Sequence, residues 1–67
     1  MLTVGRFIST LDESKVIRFE IGGGLVYLGT VDKVGDDIKQ CLIRSYTYNT
    51  RLSRYDIIGE EKQCIFV

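Results

Sequence analysis

Residues 17–28 constrain the fold more than any other stretch of the chain. Ile17, Phe19 and Ile21 alternate with Arg18 and Glu20, the period of a half-buried strand. Gly22-Gly23-Gly24 follows directly, and then Leu25-Val26-Tyr27-Leu28. Two β-rich runs across a short glycine cluster predict a hairpin, because glycine takes the positive φ of a tight turn without steric cost.

The flanking segments are read against that hairpin. Upstream, Val4, Phe7, Ile8 and Leu11 recur at i, i+3, i+4 and i+7, which predicts a short helix with one apolar face. Thr3 is a suitable N-cap, and Leu2 with Phe7 has the spacing of a hydrophobic staple. Gly5 weakens the helix, and Asp12-Glu13-Ser14 ends it. Downstream, Val34 and Ile38 in residues 32–39 permit a second short helix capped by Thr30 or Asp32, with Gly35 against it.

A third strand is expected from about Gln40 to Tyr48. It sets Cys41, Ile43, Ser45 and Thr47 on one face and Leu42, Arg44, Tyr46 and Tyr48 on the other. A last strand is expected over Gln63 to Val67, with Tyr55-Asp56-Ile57-Ile58 as a further strand paired to it. The expected fold class is α+β: one domain over residues 1–67, a small antiparallel sheet of four or five strands, and an N-terminal helix on one face.

A chain of 67 residues buries only about 60% of its unfolded surface, so its core is minimal. There is no histidine, which disfavours His-based triads, zinc hydrolysis and haem ligation. Cys41 and Cys64 are too few for a structural zinc site. Their apolar neighbours suit reduced, buried thiols, with one disulfide as the alternative. No cofactor or metal is expected. Nine basic and nine acidic residues cancel, which gives no general pull toward nucleic acid or anionic lipid. No apolar run approaches the ~20 residues that span a bilayer, and no secretory leader is evident, so a cytoplasmic protein is expected.

Four groups of residues carry candidate chemistry. The Gly22–Gly24 cluster leads into a strand-like run rather than a helix, which fits a hairpin and not a phosphate cradle. Asp12/Glu13 and Asp36/Asp37 lie where caps and turns are expected. A reactive thiolate needs a neighbour that lowers its pKa, and no His and no CxxC is present. The segment 44–55 is the most suggestive. Arg44, Tyr46, Tyr48, Arg51, Arg54 and Tyr55 interleave basic and aromatic side chains, with no acid over residues 40–55. Such a surface suits a protein interface, where Tyr and Arg anchor binding. It also suits single-stranded nucleic acid, with Arg on phosphates and Tyr under bases. A strand with an ordinary wet face is the plain alternative.

The opening Leu2-Thr3-Val4 with its helix, Leu11-Asp12, Lys15-Val16-Ile17-Arg18-Phe19 and Leu25-Val26-Tyr27-Leu28-Gly29-Thr30-Val31 resemble a known pattern. It belongs to a group of small uncharacterised accessory proteins of phages and mobile elements of Gram-positive bacteria. The likeness covers residues 2–38, and segment 49–62 has no counterpart in it. It implies an accessory role with no catalytic activity to carry over, and some such proteins inhibit host defence by direct binding. The expected function is therefore non-enzymatic protein–protein binding to a host factor or defence system, by a homo-oligomer in a bacterial host cell. The alternative is a small single-stranded nucleic-acid binder using segment 44–55. An enzyme would need a composite site across subunits.

Overall fold

The computed structural model describes residues 2–61. In chain order it has α1 (Val4–Ile8), β1 (Val16–Ile21), β2 (Gly24–Thr30), a 3-10 turn (Val31–Lys33), α2 (Asp36–Lys39), β3 (Ile43–Asn49) and β4 (Arg54–Gly59). The strands form one sheet in the order β2-β1-β4-β3, with both helices on one face, so the class is α+β.

The β1–β2 hairpin forms where the glycines predict it. Gly22 and Gly23 occupy the turn at φ 60° and 81°, in the left-handed region that a side chain strains to enter. The antiparallel register pairs Val16 with Thr30 and Phe19 with Tyr27, and a bulge at Val26 brings Leu25 opposite Glu20. α1 begins at the predicted cap, where Thr3 Oγ1 accepts the Arg6 N–H at 3.2 Å. It is shorter than its apolar spacing predicts, and Leu11 packs on the core from the turn beyond it. Val34 and Ile38 are buried as expected, but the cap of α2 is Gly35 rather than Thr30 or Asp32. Thr30 Oγ1 instead donates to Asp32 Oδ1 ahead of the helix.

Two expectations about the sheet need correction. The sheet is mixed, not wholly antiparallel, because β4 inserts between β1 and β3 and runs parallel to β1. The segment around Tyr55–Ile58 is thus a central strand with partners on both sides. Burial explains its place: Ile57 is fully buried opposite the fully buried Phe19, and Gly59 lets β4 approach β1 closely. A Cβ on Gly59 would lie 2.7 Å from Phe19 Cζ and 2.8 Å from Ile21 Cγ1. The predicted strand over Gln63 to Val67 lies outside the described residues.

The second correction concerns β3. A bulge between Ile43 and Ser45 shifts its alternation. Ile43, Tyr46 and Tyr48 therefore face the helices, opposite Gly59, Ile57 and Tyr55, while Ser45 and Thr47 lie opposite Ile58 and Asp56 on the other face. Arg44 is displaced from the tyrosines with which simple alternation grouped it.

The core lies between the helices and the sheet. Val4, Phe7 and Ile8 of α1, Ile17 and Phe19 of β1, Val31, Val34, Ile38, Cys41, Ile43 and Ile57 are buried together. Cys41 is disulfide-bonded, where the sequence favoured a reduced thiol. Apolar flanks indicate that a cysteine is buried and carry no signal for its oxidation state. The chain's other cysteine, Cys64, lies outside the described residues.

Candidate interaction surface

Segment 44–55 is β3, the Thr50–Ser53 turn and the start of β4, and the fold divides its six candidate residues. Tyr46, Tyr48 and Tyr55 come together on the helix-bearing face, because β3 and β4 pair Tyr48 with Tyr55 and Tyr46 with Ile57. The rings form a continuous cluster. Phe7 of α1 lies 4.5 Å from Tyr46 and 5.4 Å from Tyr55, centroid to centroid, and Tyr48 lies 4.8 Å from Tyr55. The last two contacts are edge-on, the geometry in which ring quadrupoles attract. Lys15 Nζ stands 5.4 Å from the Tyr48 centroid, within cation–π range. Tyr46 and Tyr48 keep 49% and 42% of their surface exposed, so the cluster has a buried floor and an open top.

The arginines do not join it. Arg54 lies on the opposite face, where its Nε donates to Asp56 Oδ1 at 2.8 Å. Arg44 occupies the bulge at one end of β3, and Arg51 the turn beyond the other end. The five strand steps from Arg44 to Asn49, at about 3.4 Å each, already set these two roughly 17 Å apart along β3. A phosphate-tracking groove needs cations in file beside the stacking rings; here the rings cluster and the three arginines scatter. Phe7 and Lys15 belong to the aromatic cluster although the sequence reading gave them no role in it. Phe7 was legible as a helix-face residue, and no local signal pointed to Lys15.

The other candidate groups have structural work. Asp12 Oδ1 accepts from Ser14 N and Oγ, both at 3.2 Å, and closes the turn ahead of β1. Asp36 and Asp37 open α2, and Asp37 Oδ1 accepts the Ile38 N–H at 2.9 Å. Among the described residues, no group of three or more His, Cys, Asp or Glu is placed to hold a metal ion. An open cleft of about 460 Å³ lies between α1 and the 3-10 turn, floored by Ile8, Leu11 and Val31 and rimmed by Glu13, Asp32 and Lys39. Tyr27 is the one group among the described residues with a resolved pKa shift. Removal from water first, and the Asp32 carboxylate second, raise its hydroxyl above the usual tyrosine value. That hydroxyl donates to Thr30 O at 2.6 Å, so it ties down β2 rather than serving a reaction. No helix among the described residues is long and apolar enough to cross a membrane.

Comparison with family models, with curated proteins and with solved structures finds no significant match.

Proposed function

We propose that this chain is a non-enzymatic binding protein whose contact surface is the Tyr46–Tyr48–Tyr55 cluster on the helix-bearing face. The observation that carries the reading is the half-open ring cluster itself: a rigid aromatic floor held by Phe7, with Tyr46 and Tyr48 presented to a partner. Tyrosine anchors interfaces because it combines large apolar area with a polar tip and few rotatable bonds. A protein partner is favoured over single-stranded nucleic acid because Arg54 is engaged by Asp56 on the far face while Arg44 and Arg51 stand apart.

The resemblance of residues 2–38 extends the proposal to an accessory protein of a phage or mobile element that binds a host factor or defence system, with self-association as a further part of it. A bacterial cytoplasm is the compartment proposed. The bonded Cys41 is its strongest counter-observation, since disulfides are rare in a reducing cytoplasm.

The test is affinity capture from lysate of a Gram-positive host with the wild type, Tyr46→Ala and Tyr48→Ala, each checked for a native circular dichroism spectrum. A protein held by the wild type and lost with either tyrosine variant supports the reading. Equal capture by all three overturns the surface. A salt-dependent shift of labelled single-stranded oligonucleotide, lost on replacing Arg44 and Arg51, supports nucleic acid instead.

A further inference from the structure

The two outer strands of the sheet are protected differently. At the start of β3, residues 2–4 lie against the outer edge: Ile43 N donates to Leu2 O at 2.8 Å, Val4 N donates to Cys41 O at 2.9 Å, and Thr3 bridges Leu42. The bulge follows at once, with the exposed cation Arg44 in it. Cover, bulge and charge are the standard protections of a sheet edge against another chain.

Among the described residues β2 has one of them, its Val26 bulge, and lacks the others. Among the described residues its outer side pairs with no strand. Its sequence, Gly-Leu-Val-Tyr-Leu-Gly-Thr, holds no charge and no proline. The bulge also sets Leu25 and Leu28 on the same face, opposite Glu20 and Arg18, and among the described residues that face carries no helix. Both leucines keep about half their surface exposed, at 54% and 51%.

We infer that the outer edge of β2 pairs antiparallel with β2 of a second copy, joining two sheets into one of eight strands. This deepens the self-association part of the proposed function, on a surface separate from the tyrosine cluster. A second copy fits for three reasons. An isologous two-fold pairing sets an uncharged strand against itself, so no like charges meet. The nearest charges, on β1, are already matched: Arg18 Nη1 donates to Glu20 Oε1 at 2.6 Å. The two-fold also brings Leu25 and Leu28 of each copy together on the face opposite the helices, and burying them is the main gain.

The size of the contact sets its strength. Seven residues give an edge about 24 Å long on a sheet about 10 Å thick, well under the roughly 800 Å² per partner of a standard interface. The dimer is therefore weak, with a dissociation constant in the range of about 1–100 µM.

Sedimentation of the full chain from about 1 µM to about 1 mM, with amide exchange at both ends of that range, tests the inference. The expected result is a monomer–dimer equilibrium in which β2 amides gain protection with concentration. Leu28→Lys, with a native circular dichroism spectrum, should weaken it by about 10-fold or more. Ile58→Lys, on the same face but two strands further in, should leave it within about 2-fold. A dimer indifferent to Leu28→Lys overturns the β2 contact and leaves self-association standing. Equal loss with both variants means stacking through the whole face and overturns edge pairing. A strict monomer overturns both claims, whether its β2 amides exchange freely or are protected at every concentration by the chain itself.

Discussion

Gly59→Ala tests the packing on which the sheet order depends. The added Cβ would sit 2.7–2.8 Å from Phe19 Cζ, Phe19 Cε1 and Ile21 Cγ1, where carbon atoms prefer about 3.5–4.0 Å. The Phe19 ring does not yield easily. Phe19 is fully buried between α1 and the sheet, and Gly59 is held in register opposite Ile43. Overpacking of this kind costs about 1–3 kcal/mol, against about 3–5 kcal/mol for a whole domain of this size. Urea unfolding followed by circular dichroism should show an unchanged slope and a midpoint lower by about 1–3 M, taking a slope near 1 kcal/mol per M. Adding Phe19→Leu should recover part of the loss, because the clash and the ring are one interaction. A Gly59→Ala midpoint within about 0.5 M of wild type would refute the close approach of β4 to β1.

Three further outcomes follow from single residues. Gly23→Ala meets nothing within 4 Å but holds φ at 81°, so its cost is about 1–2 kcal/mol from backbone strain alone, readable as a lower midpoint in the same unfolding assay. Thr3→Ala removes the α1 cap and should cost about 1 kcal/mol, with Thr3→Ser close to neutral in the same denaturation. Tyr27 has a folded pKa raised above its unfolded value, so its contribution is intact below about pH 10 and is lost as pH rises through the folded value. A pH series of unfolding midpoints should show Tyr27→Phe weaker at neutral pH, for want of the bond to Thr30 O, and less sensitive to alkali than wild type.

What was legible in the sequence is what neighbouring residues decide. The Gly22–Gly23 turn needs only the backbone preference of glycine, and Thr3 needs only its hydroxyl within reach of Arg6 N. The apolar spacing of Val4, Phe7 and Ile8 marks a buried helix face whatever it packs against. Strand order is another matter. Nothing local in Tyr55–Ile58 tells whether it pairs with β3 alone or slides between β3 and β1; Ile57 and Gly59 acquire that meaning only once Phe19 is beside them. The bulge at Arg44 is equally silent, since no glycine marks it, and it alone decides which side chains stand beside Tyr46 and Tyr48. Alternation along β3, with nearness in sequence for Arg51, Arg54 and Tyr55, therefore found the right tyrosines and gave them the wrong companions: arginines in place of Phe7 and Lys15.

The tyrosine surface exists only if the β3 bulge and the β3–β4 register are as described, and ring-proton NOE spectra read both directly. Tyr46, Phe7, Tyr55 and Tyr48 should give an unbroken chain of contacts, with Lys15 methylene protons on the Tyr48 ring. Contacts from Tyr46 and Tyr48 to Ile58 and Arg54 instead, with none to Phe7, would place them on the opposite face and contradict the proposed binding surface.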